Sequence, residues 1–552
     1  MHYALGLGLL LLSFFQNFST VPWRAAHSEI FAFLAVLLLS WSAVRSRTLH
    51  VCQTPPVTGL LCFSILIGLQ YFAGLIFFAG DAITLLIYVQ LCLFALLTGQ
   101  VLAEDPKWPL ALALTLIFAA VGSALIALAQ ALWVWIGSGW IWTAPWYRRP
   151  GANLGQPNLL ATLLVMGTAS LIYLDQRLKM SRPLLMLLSL MLLIGMGIAE
   201  SRTGLLSGVA LSVWWFGRRK VFALMPQWQW IGGSVVALVA VMWIWPPLIT
   251  FIHAGGLSAD SVALDTTAGM RTVMWPQLCE AIWLRPWIGW GIRGTSVALS
   301  AVLGTQPVSE PYTYAHNIIL DMAIGMGLPL ALLAVSALGI WGWTRLCRVR
   351  TPEDWYAVGL LIPFVMHCMF EYPYAYAYFL VPVMLAIGLL EWDNSPLIGK
   401  SIPRRIFAGS LALFAGLLVW MSVEYIEVEE DFRVARFEAV NVGETPAEYE
   451  RPHIVLLTQL RALLEVTRTV PRPNMSHEDL LLLQSTASRF PWVPVQNGLA
   501  LSMALNGDVP EAQRQLRVMR AMHGEKRYAA IRAQWDAWAQ DKYPQLRGLA
   551  PP

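Results

Sequence analysis

The chain has 552 residues, 57% of them hydrophobic and only 13% charged, with 26 tryptophans and a formal net charge of +4. Soluble domains carry about 25% charged residues, so these proportions exclude an ordinary water-soluble protein. The small net charge says little by itself, and what matters is the side of a membrane on which the charges lie; no nucleic-acid partner is expected.

Apolar runs of roughly 17–25 residues recur, the length that crosses a bilayer as a helix. Indole favours the headgroup interface, which fits the tryptophan content. The fold class is therefore all-α: a polytopic membrane helix bundle of about thirteen spans, a large late loop outside the membrane, and a helical soluble C-terminal domain. The expected spans are 3–20, 29–44, 57–79, 82–102, 109–136, 157–175, 183–199, 203–217, 229–247, 322–344, 355–372, 374–391 and 405–422. Met1-His2 and the apolar run behind it lack a basic leader and a small-residue cleavage site, so the first span is read as retained.

Lys and Arg set the orientation. With the N-terminus cytoplasmic, fifteen of them fall in inside loops: Arg45, Arg47, Lys107, Arg177, Lys179, Arg182, Arg218, Arg219, Lys220, Arg345, Arg348, Arg350, Lys400, Arg404 and Arg405. Seven fall outside before the tail: Arg24, Arg148, Arg149, Arg202, Arg271, Arg285 and Arg293. This is the bias that the positive-inside rule requires. For any one outside arginine, snorkelling or headgroup contact is the plain alternative to a functional role.

From Met421 the composition changes. Residues 422–552 hold fifteen of the 37 basic and seventeen of the 33 acidic residues. Pro452–Thr469, Ser476–Ser488, Gln496–Asn506 and Pro510–His523 read as short amphipathic helices. Gly498–Asp508 followed by Glu511-Ala512 resembles one helix–turn–helix unit of a tetratricopeptide array, without a full 34-residue period. An odd number of spans places this domain outside, and with no nucleophile or phosphate loop it reads as a docking or shaping domain. The expected division is 1–247 N-terminal membrane bundle, 248–321 periplasmic loop, 322–422 C-terminal membrane helices, and 423–552 periplasmic helical domain. The six cysteines show neither metal-like spacing nor close pairs, so no disulfide framework, metal site or cofactor is expected.

Five stretches carry candidate chemistry. In Arg149–Leu160, Pro157 opens a helix whose free N–H groups favour an anion. Asn153, Gln156 and Asn158 surround that start, as ligands or merely as caps. Arg202 sits in Ala199-Glu-Ser-Arg-Thr-Gly204, a hinge too tight to be a free loop, with Glu200 as a possible ion-pair partner. Met270–Leu284 reads as an interfacial helix interrupted at Pro276, with Arg271 on its first turn. His316 is flanked by Tyr312, Tyr314 and Asn317 and opens a helix that breaks within Gly325–Pro329. Imidazole titrates near neutrality and can take a hydroxyl proton there. Glu371 lies at the outer end of an apolar span, where a carboxylate needs a partner such as an outside arginine. Tyr376 and Tyr378 follow it, suited to stacking on sugar or lipid, and Arg293 is a further candidate for substrate contact.

Taken together these residues resemble the O-antigen ligase/polymerase (Wzy_C) superfamily, and within it the PglL-type bacterial protein O-oligosaccharyltransferases. The pattern is carried by Asn153-Leu-Gly-Gln-Pro-Asn158, Ser201-Arg-Thr-Gly204, Arg271, Pro286-Trp-Ile-Gly-Trp-Gly291, Ala315-His-Asn317, and Glu371-Tyr-Pro with Tyr376-Ala-Tyr-Phe-Leu380. Leu159 and Tyr314 depart from it, standing where relatives often carry His. The resemblance implies transfer of a whole glycan from undecaprenyl pyrophosphate to Ser or Thr of an exported protein such as a pilin. It further implies a bacterial inner-membrane location, a periplasmic site open to membrane lipid, and neither nucleotide sugar nor metal. Arg202 and Arg271 would hold the pyrophosphate, which gathers charge as it leaves. His316 would activate the acceptor hydroxyl. Gln156, Asn158, Asn153, Asn317, Tyr314, Glu371, Tyr376, Tyr378 and Arg293 would contact the donor or its glycan. Two alternatives stand: a lipid A-core ligase or repeat-unit polymerase on the same fold, and a transporter of the lipid-linked glycan.

Overall fold

The computed structural model describes the chain apart from residues 1–2, 46–49, 52, 135–138, 140, 142–148, 223–227, 253–270, 303–310, 395–399, 548 and 550–552. Arg47, Cys52, Arg148, Met270 and much of the expected 248–321 loop thus lie outside the described residues. Their regular structure is helical, with 3₁₀ turns and two antiparallel two-residue strands, β1 (His50–Val51) and β2 (Lys400–Ser401), and irregular connections between.

Fifteen helices run from the N-terminus into the tail: α1 Ala4–Phe15, α2 Ala26–Val44, α3 Pro55–Phe72, α4 Ala79–Leu102, α5 Trp108–Ala131, α6 Pro157–Leu178, α7 Arg182–Ala199, α8 Arg202–Arg218, α9 Trp228–Ile252, α10 Arg271–Leu284, α11 Thr295–Val302, α12 Ile318–Arg348, α13 Pro352–Cys368, α14 Ala377–Asn394 and α15 Arg404–Ala439. Five more follow: α16 Thr458–Arg468, α17 His477–Arg489, α18 Val493–Leu505, α19 Val509–His523 and α20 Glu525–Asp541. Each of the thirteen expected spans falls on one of these helices. Among the described residues, nine are long and apolar enough to cross a membrane: α2 to α7, α9, α12 and α15. α1 and α14 are apolar but shorter, and α8 and α13 have 17 residues each.

The chain divides into two units. The first comprises Met1–Phe63, Ile87–Thr266 and Leu338–Leu418, and the second Ser64–Leu86, Thr267–Ala337 and Val419–Pro552. In the first, α6 is the hub, packed by α5, α7, α8 and α13. Proline at its first position needs no backbone donor and presets the helical φ. Small residues then let the neighbours close in: a methyl on Gly204 of α8 would come within 2.5 Å of the Ala161 methyl of α6. Arg345, expected in an inside loop, meets buried Glu391 at two points, 2.5 and 2.9 Å, while the Trp341 indole donates to the same carboxylate. That arginine is a packing element.

In the second unit the far end of α15 carries Glu424, Asp431 and Glu438 at seven-residue spacing, which puts all three on one helix face. Glu424 accepts backbone N–H bonds from Val455, Leu456 and Leu457 at 2.9–3.1 Å. Arg468 of α16 reaches both Asp431 and Glu438, at 2.7 and 2.6 Å. The four amphipathic segments expected in the tail appear as α16 to α19, with α18 and α19 forming one helical hairpin. A fifth, α20, escaped the sequence reading. It buries Tyr528, Ile531, Trp535 and Ala539, and the Trp535 indole donates to Asn497 at 2.8 Å.

His523, at the end of α19, is buried with Nε2–H donating to Gln496 Oε1 at 2.8 Å. Burial, reinforced by nearby Arg527, pushes its pKa down to about 4. The unfolded chain binds a proton near pH 6.5, the folded chain only near 4. Stability present above pH 6.5 is therefore lost as pH falls towards 4, by an amount on the order of 2 kcal/mol. Melting of the purified protein between pH 7 and 4.5 should show this loss, and His523→Gln should flatten it. An equal slope in both proteins would exclude His523 as its source.

Candidate active site

In the first unit the segment before α6 is held from both sides. Gly155 turns the chain at φ 72° and Gln156 is extended and half-buried at the helix start. The Asn153 side chain donates to the Phe15 carbonyl at the end of α1, at 2.7 Å. Asn158 works at both ends of its amide: Nδ2 donates to Glu371 at 3.1 Å, and Oδ1 accepts from the Ser201 hydroxyl at 2.7 Å. Ser201 in turn caps α8 by accepting from the Gly204 N–H at 3.0 Å. One turn further along α6, the Thr162 hydroxyl donates to the Asn158 carbonyl and lies 2.7 Å from His367 Nδ1.

This network joins the α6 start, the α7–α8 hinge and the α13–α14 connection. Arg202, the first residue of α8, projects exposed from that joint. The hinge behind it is tight, with buried Glu200 at φ 45° and the Arg149 Nε donating to the Ala199 carbonyl at 3.3 Å. Asn153, Asn158 and Glu371, expected as substrate contacts, thus also build the joint. Tyr376 is half-buried and stacks on Tyr372 with ring centroids 6.0 Å apart. Tyr378 is only 3% exposed, packed edge-on to Phe14 at 5.6 Å. Phe379 and Tyr376 also pack on this ring, at 5.2 and 5.3 Å, so Tyr378 forms the buried end of the tyrosine row.

In the second unit, Arg271 and Trp275 lie four residues apart on α10 and so share a face. Pro276 sits inside this helix without ending it. The Trp275 indole donates to the Ala315 carbonyl at 2.9 Å, which sets that face against the turn bearing His316. His316 is half-buried at φ 53°, with its ring edge-on to Tyr312 at 5.5 Å. Asn317 caps α12, its Oδ1 accepting from Ile319 and Leu320 at 3.0 and 3.1 Å. Tyr314 is half-buried in the same turn. Asp321 closes the loop from below by accepting from the Ala315 N–H at 2.8 Å and the Thr295 hydroxyl at 3.1 Å. Arg293 lies 3.6 Å from Asp81, a carboxylate that Arg489 also binds at 2.9 Å.

The sequence reading overlooked Trp275, Asp321 and Asp81. Asp321 carried a signal, an acidic residue in a helix's first turn, and Asp81 stands in the same position on α4. Among the described residues, no group of three or more His, Cys, Asp or Glu side chains is arranged to hold a metal ion.

The Pro286–Gly291 motif fastens this arrangement to the break in α12. Trp290 N–H donates to Ile324 O and Leu328 N–H to Pro286 O, both at 2.7 Å. Gly289 and Gly327 have φ 71° and 78°, and a methyl on either would strike the Ile324 or Trp287 carbonyl oxygen. Gly289→Ala should therefore cost roughly 2 kcal/mol or more. A melting temperature equal to that of the wild type would refute this.

Three family models match successive parts of the chain: a protein glycosylation ligase at residues 150–174, an O-antigen ligase at 184–335, and the C-terminal part of a virulence factor membrane-bound polymerase at 355–537. The first covers Gln156 and Asn158, the second Arg202, Arg271 and His316, and the third Glu371 and most of the tail. Two curated proteins of Acinetobacter baylyi are similar over long stretches. One, named a general O-oligosaccharyltransferase, is 25% identical over 450 residues, 79% of this chain and 78% of the relative. The other, named a ComP-specific O-oligosaccharyltransferase, is 26% identical over 376 residues, 67% of each. With the helical membrane architecture, these matches make the chain similar to the O-antigen ligases and to proteins named O-oligosaccharyltransferases.

Proposed function

We propose that this multi-pass membrane protein is a glycosyl-transferring enzyme that moves an oligosaccharide from a lipid carrier to a protein hydroxyl. The finer reading is undecaprenyl pyrophosphate as donor and a Ser or Thr of an exported, pilin-like protein as acceptor, with chemistry at the periplasmic face of the inner membrane. The observation that carries it is the Trp275–Ala315 bond. It sets a guanidinium-bearing helix face against an imidazole-bearing turn, in a chain whose relatives are named for O-oligosaccharide transfer.

The acceptor oxygen attacks the anomeric carbon, the bond to the pyrophosphate oxygen breaks, and His316 takes the hydroxyl proton. Arg202 and Arg271 are assigned to the departing pyrophosphate, whose charge grows as that bond breaks. Asn158, Ser201 and Glu371 position Arg202 by fixing the start of its helix. Gln156 and Tyr376 remain the candidates for glycan contact.

The O-antigen ligase match across 184–335 also favours a second reading, in which the fold is kept and the acceptor is a lipid A-core sugar. Cells lacking the protein separate the two. Unglycosylated exported protein with a normal lipopolysaccharide ladder supports the proposal, and loss of the ladder with glycoprotein intact supports the alternative.

Purified protein should glycosylate an acceptor peptide from lipid-linked glycan with no ion gradient, which pure transport would not do. His316→Ala should abolish transfer while leaving the protein folded. Arg202→Ala and Arg271→Ala should each lower turnover about 10²-fold or more, without full rescue by lysine. Near-normal turnover in all three would sink the mechanism.

A further inference from the structure

In the second unit, the start of α4, the segment ahead of α11 and the end of α17 meet at one carboxylate. Asp81 is buried in the first turn of α4. Arg489, the last residue of α17, donates its Nε–H to both carboxylate oxygens at 2.9 Å. Arg293 approaches the same carboxylate from the other side at 3.6 Å. The three charged groups line a narrow crevice with Phe77, Ile292 and Ser488. Beside it the Gly80 N–H donates to the Thr458 hydroxyl at the start of α16, at 2.8 Å, so the tail grips α4 at two adjacent points.

Only one residue separates Arg293 from Thr295. Thr295 and Ser296 open α11, and their hydroxyls hold both ends of the His316 turn. Thr295 donates to Asp321, which accepts from the Ala315 N–H, and Ser296 donates to the Tyr312 carbonyl at 2.8 Å. Arg293 has a left-handed backbone, φ 68°, so its placement depends on side-chain anchoring more than that of a helical residue would.

We infer that Asp81 and Arg489 are positioning residues for His316: the C-terminal domain holds the imidazole turn in register through Arg489, Asp81 and Arg293. This rests on the transferase reading for its effect on turnover, but the effect on the turn itself does not. Removing the Asp81 carboxylate leaves two guanidiniums facing one another in a half-buried crevice. Removing the Arg489 charge cuts the link from α17 to Asp81 and Arg293, leaving the tail only its Thr458 bond to α4. Either change lets α11 shift, and a displacement of about 1 Å is enough to impair a reacting pair.

The test uses the full-length protein in nanodiscs, with Asp81→Asn, Arg489→Met and the double variant. Hydrogen exchange followed by mass spectrometry should be faster in residues 311–321 and 293–302 in all three, while peptides from α6 and α13 stay unchanged. With lipid-linked glycan and acceptor peptide, kcat should fall roughly tenfold with the donor KM unchanged. The double variant should lose no more than the worse single one, because both break one linkage. Unchanged exchange in 311–321 would overturn the inference whatever the activity. Additive losses in the double variant would do so as well. Faster exchange in a protein that transfers no glycan even as wild type would leave the positioning standing and overturn the transferase reading.

Discussion

A carboxylate withdrawn from water must be given donors, and this chain uses that requirement to join segments far apart in sequence. Glu371 takes the Asn158 amide from 213 residues away. Buried Glu29 takes the Tyr88 hydroxyl and the Ala377 N–H, both at 2.7 Å. Asp321 gathers Ala315 and Thr295, Glu424 gathers three consecutive backbone N–H groups, and Asp81 gathers two arginines. Apolar helices in a bilayer have weak preferences about their neighbours, because lipid tails resemble the side chains they replace. Pairing polar groups at or near helix ends supplies the register that apolar contact alone does not.

The same economy shapes the candidate chemistry. In each unit a guanidinium or imidazole projects from a joint whose polar groups are already engaged with one another. Arg202 follows the serine that caps its own helix and binds Asn158. His316 lies between an alanine whose carbonyl and N–H are both taken and an asparagine that caps the next helix. The backbone that carries such groups is fixed before any substrate arrives, and preorganisation of this kind favours electrostatic stabilisation. Asn153, Asn158 and Glu371, expected as substrate contacts, also belong to the frame around these candidate groups.

What could be read from the sequence follows from the range of the forces involved. An apolar run long enough to cross a bilayer is a local property, so each expected span falls on a helix. The motifs were also local: Pro157 opens α6, Ser201 caps α8, and α12 breaks at Gly327. Partnerships across hundreds of residues left no local trace. Nothing near Asn158 names Glu371, and nothing near Asp81 names Arg489. Tyr378 shows a different gap, since the run of tyrosines at the end of a span did not reveal that one ring of the row is buried against Phe14. The acidic residues at 424, 431 and 438 did carry a periodic signal, two turns apart each time, that marks the face of α15 on which the tail folds.

One detail of the imidazole turn bears on how this position can change over time. The backbone of His316 lies in a region that side chains with a β-carbon tolerate poorly and that glycine, and to a lesser extent asparagine, enters readily. Exchange for glycine would relax the chain and ease folding while discarding the ring. On the proposed role of His316, selection for robustness and selection for proton transfer pull in opposite directions at this one site. In a lineage that had ceased to need the reaction, the histidine would be among the first residues to drift.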